Sequence, residues 1–161
     1  MMIVLLVILT AIATVAVLLL EKEEPRTPMS FYESMKLVKL PVVTFKIGDE
    51  DINFMLDSGG MRSFIDSRIV DLFNLPHEAS SERIAVYGIT GNTVESKIVH
   101  MTMRYKDMEF ESDLIAQNLE GSMDQLKEEY GVRIHGMLGA DFFEKYKYVL
   151  DFKDMIAYSK R

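Results

Sequence analysis

An uninterrupted apolar run at the N-terminus constrains this chain more than any other feature of its sequence. Residues 1–20 include no charged side chain, and their only polar side chains are those of Thr10 and Thr14. A helix needs about 20 apolar residues to cross the ~30 Å hydrocarbon core of a bilayer. We therefore predict a transmembrane anchor over residues 1–20, a polar linker over 21–34 and one folded domain over 35–161, which has an ordinary domain size.

A cleaved signal peptide is the alternative interpretation of residues 1–20, and it fits the residues less well. A signal peptide carries a basic region, then an apolar core of roughly 7–15 residues, then a small-residue cleavage site. No Lys or Arg precedes the run, and Leu20 ends a stretch of Val and Leu that makes a poor cleavage site. Lys22 and Arg26 follow the run and weakly favour a cytoplasmic domain. Two charges leave the side of the membrane open.

Composition excludes several classes of function. The net charge is −7 and no cluster of Lys or Arg is present, which argues against a nucleic-acid partner. The absence of cysteine removes thiol catalysis, disulfides and cysteine-based zinc sites. His77, His100 and His135 are too scattered along the chain to propose a metal site. We therefore predict no metal and no cofactor.

Most of the domain has the patterning and turn signals of short β-strands. The predicted strands cover residues 36–47, 52–56, 83–87, 93–105 and 108–116, followed by a final hairpin over 148–152 and 155–159. Helical spacing predicts a short helix over 66–75, and short helices are also predicted over the charged segment 122–130 and over 141–146. Many short strands with a few small helices indicate a mainly β fold that closes into a barrel.

The candidate catalytic residue is Asp57, which follows the apolar strand predicted over residues 52–56. A carboxylate at such a place is costly unless it has a partner or a function. Ser58 can hydrogen-bond locally, while Gly59 and Gly60 permit a backbone turn that larger side chains would block. Taken alone, the Asp-Ser-Gly triplet favours an Asp that merely ends a strand, because short polar triplets recur by chance.

The triplet nevertheless resembles the active-site loop of the aspartic proteases, in the form used by single-domain retropepsin-like members. Two further segments follow in the order typical of that family. One resembles the flap hairpin and consists of Tyr87, Gly88, Ile89, Thr90 and Gly91. The other contains Leu138 and Gly139 and resembles the hydrophobic-hydrophobic-Gly element that packs beside the active-site loop. The resemblance covers residues 38–158 and is strongest to the bacterial and cellular branch.

The resemblance implies a closed retropepsin-like barrel and an aspartic endopeptidase that acts on a peptide or protein substrate. In such enzymes one carboxylate activates a water while a second, protonated one polarises the scissile carbonyl. One chain has one Asp-Ser-Gly, so the resemblance implies a homodimer that contributes Asp57 twice. The anchor would raise the effective concentration of protomers, and a flap over residues 88–92 would close on the substrate.

Two departures from the family pattern keep a second hypothesis open. Gly60 stands where Ala is more usual, and Ala140 stands where retroviral enzymes have an Arg that forms a salt bridge. The alternative is a catalytically inactive, membrane-anchored binding or dimerisation module, because a fold alone does not determine function. A weaker hypothesis makes the dimer a regulated processor of other membrane proteins.

The remaining candidate residues are interpreted as structural. Asp141 and Asp66 each precede a helical run, where Asp is a favoured N-cap, so neither is predicted to be a second catalytic acid. Tyr87 is equally consistent with a flap tyrosine and with an ordinary strand residue. Ser63 and Arg62 are predicted to be loop residues. A Ser-His-Asp triad is rejected because the sequence has no strand-Ser-helix elbow.

Overall fold

The structure is a computed structural model, and it describes residues 29–87 and 93–160. The predicted span over residues 1–20 and the predicted flap tip over 88–92 lie outside these ranges. Within the described part of the chain, no helix combines the length and the apolarity that a membrane crossing requires.

The described residues form short strands joined by short helices. The strands are β1 (Val42–Ile47), β2 (Glu50–Leu56), β3 (Phe64–Asp66), β4 (Glu78–Tyr87), β5 (Thr93–Tyr105), β6 (Met108–Gln117), β7 (Gly136–Leu138), β8 (Tyr148–Asp151) and β9 (Ile156–Ser159). The helices are α1 (Phe31–Leu37), α2 (Ser67–Leu72), α3 (Ser122–Tyr130) and α4 (Ala140–Tyr146). The mainly β class is therefore confirmed, and α2, α3 and α4 lie close to their predicted positions.

The larger sheet closes into a barrel, as predicted. Its strand order is β1-β2-β7-β3-β6-β5-β4, and β1 also pairs with β5, where Lys46 lies opposite Arg104. β4 continues the sheet beyond this closure as the outer strand of a long antiparallel hairpin with β5. β8 and β9 form a separate two-stranded sheet.

Aromatic side chains fill the barrel around Phe45. Its ring is fully buried and lies 5.9 Å from that of Phe54, 5.7 Å from that of Phe110 and 6.1 Å from that of Phe142, each in edge-on geometry. Such contacts add to the stabilisation that burial of the rings provides. Phe142 belongs to α4, so this helix is anchored directly in the barrel core.

The first strand begins later than the sequence predicts, because a helix precedes it. The predicted strand starts at residue 36, whereas α1 continues to Leu37 and β1 starts at Val42. Ser30 Oγ accepts a hydrogen bond from the Glu33 backbone N–H, and the Glu33 carboxylate accepts one from the Ser30 N–H. This capping box favours a helix start. α1 therefore begins inside the segment predicted to be linker.

β4 is longer than the predicted strand over residues 83–87, because it begins at Glu78. Its pairing with β5 shifts between Ala79 and Arg83, which is the irregularity of a β-bulge. Residues 78–83 are all exposed. An exposed strand with a bulge lacks the apolar alternation on which the sequence-based prediction relied.

A chain of hydrogen-bonded, buried polar groups joins Met29 to β1, to β2 and to the segment that leads into β7. Thr44 Oγ1 accepts a hydrogen bond from Met29 N (2.5 Å) and donates one to Asn53 Oδ1 (2.6 Å). Asn53 Nδ2 donates to the Arg133 carbonyl (2.9 Å), and Asn53 N donates to Nδ1 of fully buried His135 (2.8 Å). Buried polar groups are costly unless they are paired, so the hydrogen bonds of these polar groups must form together.

Replacing Thr44 by Val tests that buried polar chain. The variant keeps the side-chain volume but removes the Thr44 hydroxyl, so Met29 N and Asn53 Oδ1 lose this hydrogen-bond partner. The loss occurs in a buried place, because Thr44 and Asn53 are only 7% and 5% exposed. We expect the free energy of unfolding to fall by about 2 kcal/mol, measured by urea denaturation of the full chain in detergent.

The matched control is Thr102→Val, because Thr102 is an exposed residue of β5. Its free energy of unfolding should change by less than about 0.5 kcal/mol. Equal losses in the two variants would contradict a stabilising role for the buried chain.

Candidate active site

The candidate active-site loop, residues 57–63, follows β2 directly. β2 pairs in parallel with β7, so that buried Leu56 lies opposite buried Leu138. The Asp57 N–H extends this pairing by one residue, because it donates to the Leu138 carbonyl (2.9 Å). The backbone of Asp57 is therefore fixed by the barrel, while its side chain is only half-buried.

The Asp57 carboxylate rests against the two glycines that follow Ser58. Its Oδ1 accepts a hydrogen bond from the Gly59 N–H (3.0 Å), and the Gly60 N–H donates to the Asp57 carbonyl (3.1 Å). A Cβ atom added at either glycine would lie 3.3 Å from a carboxylate oxygen of Asp57. The glycines thus make room for the carboxylate, and Ser58 and Gly59 lie exposed beside it.

Gly139 lies where two backbone segments approach closely. A Cβ atom added there would come within 2.6 Å of the Arg62 carbonyl oxygen and 2.8 Å of the Gly60 carbonyl oxygen. The Ala140 N–H donates to that same Gly60 oxygen (2.7 Å). The structure therefore places the predicted pair Leu138 and Gly139 directly against the active-site loop, and it explains why no side chain fits at Gly139.

The prediction that Asp141 caps α4 is wrong. The N-cap residue is Gly139, which has no side chain to cap the helix, although Asp141 Oδ1 accepts a hydrogen bond from the Phe142 N–H within the first turn (2.8 Å). Asp141 lies in the first turn, and its carboxylate accepts hydrogen bonds from Ser63 Oγ (2.6 Å) and Ser63 N (3.0 Å). Arg62 Nε also lies 3.7 Å from Asp141 Oδ2. An acidic residue is favourable in the first turn of a helix whether or not it caps the helix. The sequence alone therefore does not distinguish an N-cap from this long-range contact.

Ser63 is a site residue that the sequence interpretation missed. It is 1% exposed, and its Oγ also accepts a hydrogen bond from the Gly139 N–H (2.9 Å). The partner carboxylate lies 78 residues away along the chain, so no local pattern signals the contact. Ser63 is a loop residue, as predicted, and it is also a buried link between the loop and α4.

Asp66 behaves as predicted and caps α2. Its carboxylate accepts a hydrogen bond from the Arg68 N–H (3.0 Å). It also forms an ion pair with the Arg68 guanidinium, whose Nη2 lies 2.6 Å from Oδ2. The hydrogen bond to Asp66 raises the pKa of Arg68. Asp66 is thus committed to a structural ion pair and is not a candidate for the second catalytic acid.

The predicted flap is described only at its base. Tyr87 ends β4 and pairs with Thr93 at the start of β5. Gly88, Ile89, Thr90 and Gly91 lie outside the described residues. The antiparallel pairing of the two strands up to this point is that of a hairpin, and the substrate-binding role of its tip stays a prediction.

The histidines have separate local contacts. His135 belongs to the buried polar chain, His100 Nδ1 lies 2.9 Å from Asp113 Oδ1, and His77 Nδ1 lies 2.8 Å from the Leu75 carbonyl. Over residues 29–87 and 93–160, no three His, Cys, Asp or Glu side chains converge to form a metal-binding group.

Comparison with known proteins agrees with this geometry. A family model described as "Aspartyl protease" matches residues 43–142, and a search of the curated proteins found no significant match. The fold is similar to that of the EIAV protease solved with an inhibitor, with a TM-score of 0.54 and 17% identity over 72% of this chain and 96% of that one.

A second similar structure is the retroviral protease-like domain of Ddi1 from Leishmania major. Its TM-score is 0.53 at 12% identity, and the match covers 76% of this chain and 89% of that domain. At these identities the structural similarity establishes the fold, while the family match covers the candidate active-site loop, β4, β5 and the start of α4. The chain is a retropepsin-like member of the aspartyl protease family.

Proposed function

We propose that this protein is an aspartic endopeptidase that hydrolyses peptide bonds as a membrane-anchored homodimer. The observation that carries the proposal is the half-buried Asp57 carboxylate at the end of β2. Its backbone is hydrogen-bonded to β7, and its loop is packed against Gly139. A side chain held so firmly, yet open to solvent, suits a group that must meet a substrate in a fixed geometry.

The proposed reaction needs two such carboxylates. One Asp57 accepts a proton from a water molecule, whose oxygen attacks the scissile carbonyl carbon. The protonated Asp57 of the partner subunit donates a hydrogen bond to the carbonyl oxygen, and its proton stabilises the tetrahedral intermediate. Collapse of the intermediate re-forms the carbonyl, returns its proton to the Asp57 of the partner subunit and breaks the C–N bond, while the leaving nitrogen takes up the proton that the first Asp57 accepted from water. Two carboxyl groups about 3 Å apart share a proton because both cannot be ionised together.

Exposed apolar side chains support the homodimer. Met61 of the active-site loop is 82% exposed, and the β8–β9 hairpin exposes Phe152 (53%), Ile156 (48%) and Tyr158 (36%). Among the described strands, β8 and β9 pair only with each other. Strand edges of this kind can pair with a strand from another chain, and exposed apolar surface is typical of interfaces. A second copy would both cover these residues and supply the second Asp57.

The apolar run over residues 1–20 supports the anchor. The described chain begins at Met29, whose backbone bonds to Thr44 of the barrel. The residues between the run and Met29 span at most roughly 30 Å when fully extended. Such a tether would hold the domain close to the bilayer, where confinement raises the effective concentration of protomers.

Replacing Asp57 by Asn removes the proposed general base while keeping the side-chain shape. We expect cleavage of a mixed peptide library to fall by about 10³-fold or more. The assay uses the full chain in detergent micelles at acidic and neutral pH, with products identified by mass spectrometry.

The control is Asp49→Asn, because Asp49 is an exposed turn residue between β1 and β2. This variant should cleave as the wild type does. Cleavage that survives Asp57→Asn, or a wild type that cleaves nothing at any pH, would contradict the proposal.

Mixing the two kinds of chain tests the shared site. When wild type and Asp57→Asn reassort in equal amounts, about a quarter of the dimers carry two intact loops. Activity per wild-type chain should therefore fall to about half. A site built from a single chain would instead leave the activity per wild-type chain unchanged.

Mixing wild type with Asp49→Asn provides the reference. Here every dimer carries two intact Asp57 residues, so the activity of the mixture should equal the sum of its parts. A loss in this reference mixture as well would remove the support for a shared site.

The inactive-module alternative rests partly on Gly60, and Gly60→Ala tests it. Gly60 does not have the left-handed φ that would require glycine, and a Cβ there needs only a small shift of Asp57 Oδ2. We expect the variant to gain up to about 1 kcal/mol in free energy of unfolding, because Ala restricts the unfolded chain, and to retain cleavage. A wild type that is inactive and an Ala variant that cleaves would instead identify Gly60 as the cause of inactivity.

A further inference from the structure

A buried hydrogen-bonded link joins the active-site loop to α4 through Ser63 and Asp141. We propose that these two are positioning residues that hold Asp57 in its reactive place, a role that rests on the proposed peptidase function. Neither was assigned a part in the reaction from the sequence. Asp141 is distant from Asp57 in the sequence, yet the rate of the reaction at Asp57 depends on the contact of Asp141 with Ser63.

The N–H and the hydroxyl group of Ser63 both bond within this link. Its N–H and its hydroxyl donate to the two oxygens of the Asp141 carboxylate, at 3.0 Å and 2.6 Å. Its Oγ accepts from the Gly139 N–H at 2.9 Å. Hydrogen bonds to an ionised acceptor are short and strong, and Ser63 is 1% exposed. Water therefore cannot readily replace the carboxylate.

The active-site loop and α4 supply hydrogen-bond partners to each other. α4 has no side-chain cap, although the first N–H groups of a helix need acceptors. The loop supplies acceptors there: Gly60 O for the Ala140 N–H and Ser63 Oγ for the Gly139 N–H. In return the loop is held at its start by Leu138 O, in its middle by Ala140 N and at its end by Asp141. The Ser63 carbonyl also accepts a hydrogen bond from the Ile115 N–H of β6 (2.9 Å). Loss of the Asp141 contact would therefore leave the end of the loop attached to β6 but detached from the carboxylate of α4.

This attachment matters for catalysis because the paired carboxylates must meet closely. A misplacement of about 1 Å can lower a rate by about 100-fold. In a two-fold dimer the same link occurs twice, so a substitution displaces both Asp57 residues.

The hydrogen bonds, rather than the Arg62 ion pair, carry this role. Arg62 Nε lies 3.7 Å from Asp141 Oδ2, and the two side chains are 42% and 29% exposed. The two atoms are too far apart for a hydrogen bond, and Arg62 Nε is buried without a hydrogen-bond partner among the described residues, so this contact does not fix the carboxylate as the Ser63 bonds do. Because Ser63 is buried, it cannot touch a substrate, so its loss should lower kcat and leave KM nearly unchanged.

The test compares Ser63→Ala and Asp141→Ala with the wild type, using the full chain in detergent and a peptide that the wild type cleaves. Each variant should lose about 10- to 100-fold in kcat with little change in KM. Assays are run below the unfolding midpoint of each variant, so that every chain measured is folded. A folded variant with wild-type kcat, or one whose loss lies in KM, overturns the proposal.

The double variant and a control separate positioning from general destabilisation. Because Ser63 and Asp141 act through one link, the double variant should be no slower than the slower single variant. Losses that multiply would overturn the proposal. Glu144→Ala is the control: Glu144 is exposed on the same helix, and its kcat and KM should match those of the wild type.

Amide hydrogen exchange of the wild type tests the link without relying on activity or on the folding of variants. The amides of Ser63 and Gly139 should exchange as slowly as those of β7, because both are hydrogen-bonded and buried. Rapid exchange at Ser63 overturns the proposal even in an active enzyme. Slow exchange in a chain without Asp57-dependent cleavage supports the link and contradicts the peptidase function alone.

Discussion

The close approach of two backbone segments at Gly139 is the constraint on which the candidate site depends. A side chain there would meet the carbonyl oxygens of Arg62 and Gly60 at distances that real Cβ atoms do not adopt. Its absence lets the start of α4 bond directly to the active-site loop. The same helix inserts Phe142 into the ring cluster around Phe45. The loop that carries Asp57 is thereby connected to the barrel core through α4.

Features encoded in short stretches of sequence could be predicted. The Asp57 loop follows an apolar strand, α2 shows helical spacing after a capping Asp66, and α3 lies in a short charged segment. The juxtaposition of Leu138 with this loop is a long-range property, and only resemblance to a protease family pointed to it. Strand alternation alone does not specify which strand pairs with which, because many registers bury the same residues.

The remaining features could not be predicted because competing local signals or distant partners decide them. The β-branched residues over 36–47 predict a strand there, whereas the helix that precedes Val42 is favoured by the capping box of Ser30 and Glu33, a signal of a helix start. Asp141 offered a plausible cap, and nothing local distinguishes a cap from a carboxylate that bonds a serine 78 residues away. Buried polar links are therefore where sequence reasoning is weakest, since their partners are set by the fold.

The central claim, that two copies of Asp57 form one site, is tested most directly by a crystal structure of the full chain in detergent with a peptide-like transition-state analogue. We predict a two-fold dimer in which the two Asp57 carboxylates lie about 3 Å apart, on either side of the hydroxyl group of the analogue. A structure in which the analogue is held by one chain, or in which another carboxylate stands beside Asp57, would contradict the claim.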